Sequence, residues 1–298
     1  MAVSDGKIDI ACLEKRAGIV SAVRAFFDGL GFVEVETPVR IEAPAPEPHI
    51  DCPAVPAPSG GSVSYLRASP ELQMKRLLAA GMARIYQIGP CFREGERGAR
   101  HNPEFTMIEW YRRRANYFDI LSDVEGLLRH LASVNRGEGA PPIPAPPFRR
   151  ITVRDAYARW AGWDPWTAWD QDRFDFDMAT KIEPALKAEG AVFLMDYPPQ
   201  AASLARVRGD VAERWELYLN GVELANCFSE LCDPDEQRRR FVAAREERRA
   251  LGEADYPLDE AFLSALGAIG SAAGVALGID RLAMALLGAA DIGYVRVM

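Results

Sequence analysis

The chain has 298 residues, enough for one large or two modest domains, and with 49% hydrophobic and 26% charged residues it has the makeup of a soluble globular protein. A net charge of −8 and a pI near 5.1 argue against a broad nucleic-acid footprint and leave room only for a local basic groove. Cys12, Cys52, Cys91, Cys227 and Cys232 form no Cys-x-x-Cys pair and read as reduced thiols of a cytoplasmic protein, and neither a signal peptide nor a bilayer-spanning apolar run is visible.

In chain order, Ile19, Val20, Val23, Phe26, Phe27 and Leu30 recur at helical spacing within 13–30 and stop at Gly29 and Gly31. Residues 32–38 follow as a short strand ended by Pro38. The proline-dense stretch 43–61 cannot be helical and is predicted to cross the surface as an extended connection before a strand at 65–68. Ser69-Pro70-Glu71 opens the next helix, with Ser69 as N-cap, Pro70 in the first turn and Glu71 at the positive end of the dipole.

An apolar segment at 85–88 leads into a loop dense in Arg, His, Glu and Gly, and strict alternation from Phe105 to Tyr111 reads as a strand. Period two puts Phe105, Met107, Glu109 and Tyr111 on one face and Thr106, Ile108 and Trp110 on the other. This is predicted as an antiparallel pair joined by a long polar loop. Arg93, Arg97, Arg100 and His101 are poorly suited to packing a core and well suited to gripping a polyanion such as a triphosphate; an ordinary solvated hairpin tip is the plainer alternative.

Residues 117–131 are predicted helical, 136–147 form a second Gly/Pro-rich connection, and 152–190 are again helical, so 135–190 reads as a loop and helical insertion. Trp160, Trp163, Trp166 and Trp169 read as packing aromatics rather than a cofactor box. A strand at 192–196 precedes a second charged centre. There Asn220-Gly221 signals a two-residue hairpin turn, which places Tyr218 opposite Glu223 and Glu216 diagonal to Glu223 on one face. Two such carboxylates repel unless a cation lies between them, and oxygen ligands suit magnesium; a solvated acidic face is the alternative. Asp233-Pro234 caps a charged helix at 234–250, Pro257 starts another that ends near Gly267, and 274–282 passes from strand to helix through Gly278.

Phe92-Arg93, followed by the run from His101-Asn102-Pro103-Glu104-Phe105 to Glu109-Trp110-Tyr111, resembles the second signature motif of class II aminoacyl-tRNA synthetases, in their lysyl branch. The helix at 13–30 with its following strand resembles the first motif, and Gly278-Ile279-Asp280-Arg281 resembles the third. Glu223-Leu224-Ala225-Asn226-Cys227-Phe228-Ser229-Glu230 also matches the lysyl branch. From about Leu13 to Leu287 the chain resembles the truncated lysyl-synthetase relatives that ligate β-lysine onto a lysine of elongation factor P.

The resemblance implies an α+β class II catalytic domain over 1–298, an antiparallel sheet flanked by helices, and a homodimer formed through the first motif. It implies ATP and Mg2+. Arg93 would hold the carboxylate and α-phosphate, His101 and Arg281 the outer phosphates, and Glu216 and Glu223 the metal. Adenine would lie between Phe105 and Arg281, with Asn102, Leu224 and Gly278 completing the ATP site. Ser69, Pro70 and Glu71 would hold one amino group of the substrate. Glu230 would meet its distal amine, with Tyr111 hydrogen-bonding beside it and Asn226 lining the same pocket. Ala276 stands where ordinary lysyl synthetases have Gly, which favours β-lysine over α-lysine. One departure is Gly95, which occupies the place of the Glu that contacts adenine; Glu94 and Glu96 flank it.

The implied activity is activation of (R)-β-lysine as an adenylate and its ligation to elongation factor P. Only about a dozen residues precede the first predicted helix, which leaves no room for an anticodon-binding barrel and disfavours tRNA. The alternatives are a ligase acting on a small amine and an inactive amino-acid-binding paralogue. Strand parity adds an expectation: Glu223 is odd while Asn226 and Glu230 are even, so a bulge is predicted between Glu223 and Asn226 if they serve one site.

Overall fold

The computed structural model describes residues 9–57, 60–132 and 142–297, so residues 135–141 of the expected insertion lie outside the described residues. Helix α1 (Ile10–Gly29) begins at Asp9, whose carboxylate accepts the Cys12 amide at 3.0 Å, and it buries Ile19, Val23 and Phe27. Strand β1 is only Val33–Glu34, shorter than the expected 32–38. After Val35 donates to the Tyr86 carbonyl the chain leaves this edge and builds a separate small sheet from β2 (Arg40–Ile41), β3 (Ala54–Val55) and β4 (Ser64–Leu66), in the order β2-β4-β3. The proline-dense connection therefore contributes a strand of its own. Prolines flank Ala54–Val55 without entering it, which is where a sheet edge tolerates them.

Helix α2 (Glu71–Ala79) is followed by the predicted antiparallel pair, β5 (Arg84–Phe92) and β6 (Glu104–Arg113), in register from Arg84↔Arg112 to Phe92↔Glu104. Helix α3 (Tyr117–Ala132) leads to β7 (Arg149–Thr152). Short helices α4 (Val153–Ala156), α5 (Gln171–Asp177) and α6 (Glu183–Leu186), joined by wider helical turns, stand between β7 and β8 (Ala191–Tyr197). The four tryptophans of this region pack against the cluster around Tyr157 and Phe174, as expected of packing aromatics. β9 (Val207–Arg208), β10 (Val211–Leu219), β11 (Val222–Ser229) and β12 (Ala272–Gly278) complete the large sheet. Helices α7 (Pro234–Leu251) and α8 (Glu260–Leu266) lie between β11 and β12, and α9 (Ile279–Leu287) follows β12 directly. α8 begins at Asp259, not at Pro257, because the Asp259 carboxylate accepts the Phe262 amide at 2.8 Å.

The large sheet runs β1-β5-β6-β12-β11-β10-β8-β7, with β9 also paired to β10. All pairings from β5 to β8 are antiparallel, as the α+β expectation requires, while the two outer pairs, β1/β5 and β7/β8, are parallel. One face is sealed by α1, α3 and α9 over a core that includes Phe27, Trp110, Trp215 and Leu282. The opposite face is left open between α2, α7 and α8 on one side and the α4–α6 region on the other.

The hairpin β10–β11 turns at Asn220 (φ 52) and Gly221 (φ 77), the paired left-handed conformation of a two-residue turn. Its register passes from Leu217↔Ala225 to Tyr218↔Glu223, which leaves Leu224 as the extra residue of a bulge. The bulge predicted from parity is present, and it turns Glu223 to the same face as Asn226.

Candidate active site

The open face presents two rows of side chains that cross four strands. Glu109, Ala276, Asn226 and Glu216 are successive cross-strand partners on β6, β12, β11 and β10. Two residues along each strand, Tyr111, Gly274, Phe228 and Arg214 form the neighbouring row. Above them lies a cavity of about 680 Å³ that also takes in the mouth of the β5–β6 loop and the start of α9.

The deep end of the cavity is acidic. Glu109 is 1% exposed and accepts hydrogen bonds from the Ser69 and Tyr111 hydroxyls, each at 2.7 Å. Burial, and then the neighbouring Glu71, push its carboxyl up to about 7 against the pull of those hydrogen bonds and of Arg67. Glu230, just past β11, is anchored by its amide to the Ala272 carbonyl. Burial lifts Glu230 out of the usual carboxylate range, and Lys75 opposes that shift. Glu71 and Glu230 each lie 2.5 Å from the Lys75 ammonium, which is wholly buried.

Gly274 makes this end possible. A Cβ there would stand 2.1 Å from Tyr111 Cδ1 and 2.8 Å from Glu230 Oε1, so no side chain fits between the ring and the carboxylate. Two details differ from the sequence-based expectation. The Tyr111 hydroxyl, expected only to hydrogen-bond beside Glu230, donates to Glu109, a partner the sequence did not name, because the two residues share one face of β6. Pro70, not Ser69, immediately precedes α2; Ser69 still accepts the Glu71 amide at 3.0 Å while its hydroxyl proton goes to Glu109. Ser69, Glu71, Tyr111, Asn226, Glu230 and Ala276 all line the cavity, whereas Pro70 is buried outside it.

The opposite end is cationic. Arg93 leaves β5 with its amide on the Pro103 carbonyl, its guanidinium 5.2 Å from the Phe105 ring centre and its Nη1 3.5 Å from Glu96 Oε1. Its Nε–H is buried without a hydrogen-bond partner among the described residues, a donor that an anion would satisfy. The cation over Phe105 is thus Arg93, while Arg281, in the first turn of α9, donates to the Glu223 carbonyl at 3.0 Å and pairs with His101 Nε2. Burial and then Arg281 lower the His101 pKa, so the imidazole is neutral and accepts from the guanidinium. Gly95 takes a left-handed turn (φ 75) and is exposed along with Glu94, whereas Glu96 lines the cavity. Of the two carboxylates flanking Gly95, Glu96 is therefore the one turned inward. Asn102, Leu224 and Gly278 also line the cavity.

Glu223 faces this cavity, and Glu216 faces an adjoining cleft of about 280 Å³ that shares Glu223 and Arg214 with it. Glu216 is held by Arg214 at 2.5 Å and by the Tyr218 hydroxyl at 2.7 Å. Burial, and then Glu216, push Glu223 up to about 7. Glu183 lines the same cleft, but no group of three carboxylates, histidines or cysteines placed to hold a metal occurs among the described residues. Two carboxylates fit a hard cation that keeps waters and takes its other oxygens from a phosphate.

Sequence reasoning assigned no role to Glu109, Lys75, Gly274 or Arg214. The alternation of β6 already placed Glu109 beside Tyr111, and the spacing from Glu71 to Lys75 is one helical turn; Gly274 and Arg214 carry no local signal.

Residues 9–297 match the family described as tRNA synthetases class II (D, K and N). The chain belongs to this family. Among its curated relatives is the elongation factor P–(R)-β-lysine ligase of Proteus mirabilis (strain HI4320), 38% identical over 94% of this chain and 92% of that protein. The protein of the same name from Haemophilus influenzae (strain PittGG) is 37% identical, again over 94% and 92%. That from Sodalis glossinidius (strain morsitans) is 36% identical over 93% and 91%. This chain builds its cavity on the antiparallel centre of its large sheet, and no helix among its described residues is long and apolar enough to cross a membrane. Most of the residues that carry the class II resemblance line that cavity, at both of its ends.

Proposed function

We propose that this class II protein activates (R)-β-lysine with ATP and transfers it to a lysine side chain of elongation factor P. The carrying observation is a single cavity lined at its deep end by the carboxylates of Glu71, Glu109 and Glu230, with Lys75 buried behind Glu71 and Glu230, and with an unpaired Arg93 donor at the other end. An amino acid with two ammonium groups matches the first end, and its carboxylate with a triphosphate matches the second. The relatives' names supply the acceptor and the β isomer. In the first step a carboxylate oxygen of the amino acid bonds to the α-phosphorus of ATP and pyrophosphate leaves. In the second, the neutral amine of the acceptor lysine attacks the acyl carbon, gives up a proton, and AMP leaves.

The residues serve mainly to place and neutralise charge. Arg93 orients the carboxylate against the α-phosphate, and Arg281 and Arg100 face the outer phosphates beside neutral His101. Glu96 takes the place that Gly95 vacates. Glu216 and Glu223 would hold Mg2+, which supplies positive charge to the phosphate oxygens. Exposed Leu30 and Val33 at the edge strand β1 support a homodimer. The five free cysteines fit the reducing cytoplasm.

The deciding experiment is mass spectrometry of elongation factor P after incubation with enzyme, ATP and each lysine isomer. The expected result is a mass gain with β-lysine that exceeds the gain with α-lysine; an unmodified acceptor would remove this function. Ala276 faces the cavity between Glu109 and Asn226, so its methyl bears on the amino group nearest the sheet. Ala276→Gly is expected to shift pyrophosphate exchange toward α-lysine by about 1–3 kcal/mol. An unchanged isomer ratio would leave the methyl as strand packing alone.

Glu109 also predicts a pH dependence. A carboxyl near 7 must lose its proton to pair with an ammonium, so its ionised fraction, and with it apparent affinity, rises with pH. KM for the amino acid is expected to fall about tenfold from pH 6 to pH 8. Glu109→Gln should flatten that profile; an unaltered slope in the variant would assign the titration elsewhere.

A further inference from the structure

Lys75 is an unusual presence in a site built for cations. It lies one turn into α2, its side chain wholly buried, and its ammonium stands 2.5 Å from Glu71 Oε1 and 2.5 Å from Glu230 Oε2. Burial opposes its charge, but Glu230 and Glu71 together more than offset that and keep it protonated. Each carboxylate thus commits one oxygen to Lys75 and keeps one for a ligand. For Glu230 the free oxygen is Oε1, which lies over Gly274 in the cavity.

The two carboxylates come from unrelated parts of the chain, Glu71 from the first turn of α2 and Glu230 from the end of β11. Among the described residues no other side chain bridges them: Glu109, which also faces this end, is tied to Ser69 and Tyr111, and Arg67 donates to the Thr37, Pro38 and Pro90 carbonyls. Without Lys75 two negative side chains would face each other with only flexible torsions to set their spacing.

We propose that Lys75 is a positioning residue that fixes the separation of two ammonium sites, so that the enzyme selects its amino acid by the distance between the substrate's two amines. The inference rests on the functional reading above, in which Glu71 and Glu230 receive those amines. Lys75 touches neither the reacting carboxylate nor the phosphates. Its removal should therefore act on recognition, not on chemistry.

The test is amino-acid-dependent pyrophosphate exchange with diamino acids that differ in amine separation: 2,4-diaminobutyrate, then ornithine and β-lysine, whose amines are equally far apart, and α-lysine, one carbon longer. The wild type is expected to show a steep preference within the series. Lys75→Met, which keeps the length of the side chain and loses its charge, is expected to raise KM for the preferred member tenfold or more, flatten the preference, and leave kcat at saturation within a few fold. In Lys75→Ala, added ethylamine or propylamine should restore part of the lost affinity, because the alkylammonium refills the same place. Lys75→Gln, which still donates a hydrogen bond, reads the same quantities if the Met variant does not fold. A wild-type KM and an unchanged order of preference in these variants would overturn the proposal. So would a lower melting temperature with parallel loss of kcat and no change in selectivity, the mark of a purely structural lysine. If the wild type exchanges with none of the series, the functional reading itself falls and the proposal falls with it.

Discussion

Arg93→Ala is expected to lower amino-acid-dependent pyrophosphate exchange about 10³-fold, while the melting temperature stays close to that of the wild type. Arg93 contributes little to the fold: its one ion pair, to Glu96, spans 3.5 Å and is partly exposed. Its Nε–H is buried without a partner, and its guanidinium is steadied by the Phe105 ring at 5.2 Å. A donor held this way needs little rearrangement when negative charge develops at the α-phosphate, and such preorganised donors give their largest return in the transition state. The loss should therefore fall mainly on kcat. Arg93→Lys should recover only part of it, since a single ammonium cannot span two oxygens in a plane. Exchange within tenfold of wild type in Arg93→Ala would place the reacting carboxylate elsewhere.

Gly274→Ala should reduce exchange about 10²-fold or more through the amino-acid site alone. The added carbon would lie 2.1 Å from Tyr111 Cδ1 and 2.8 Å from Glu230 Oε1, so the ring must move. Tyr111 is buried, and its hydroxyl is fixed to Glu109 at 2.7 Å, so the displacement carries Glu109 with it. KM for the amino acid should rise steeply while KM for ATP changes little. Adding Tyr111→Ala to Gly274→Ala removes the overlap with the ring but leaves that with Glu230, and should not recover activity. A Gly274→Ala enzyme with normal amino-acid KM would show that the deep end of the cavity is not where the substrate lies.

Both predictions fall on elements that differ in how far the sequence reveals them. The β5–β6 pair was legible from Ile85 to Tyr111 because an apolar run, a polar loop and a strict alternation are local patterns. The β10–β11 turn was legible because Asn220-Gly221 tolerates two successive left-handed residues. Even the bulge at Leu224 followed from parity, once Glu223 and Asn226 were required to share a face. Arg93, His101, Glu223 and Arg281 were legible through the signature motifs that carry them.

Other features depend on chain segments meeting from afar. Local patterns indicated two antiparallel hairpins and the family resemblance an antiparallel sheet, but the parallel pairings of β1 with β5 and β7 with β8 arise where the chain returns to an edge after a long excursion. The strand at 54–55 exists because β4 offers it an edge, not because Ala-Val between prolines favours one. Gly274 reads locally as one more small residue of a strand; only the ring of Tyr111 beside it on β6 forbids a Cβ. Lys75 reads as a charged residue on a helix, and it is buried because β11 carries Glu230 to within 2.5 Å of it. The sequence by itself thus determined the strands, their turns and the motif residues, since periodicity and turn chemistry are set by neighbours in the chain. Only the tertiary structure decided which carboxylates share a cavity, which oxygens Lys75 occupies and which remain free, because burial and charge pairing depend on what the rest of the chain brings alongside.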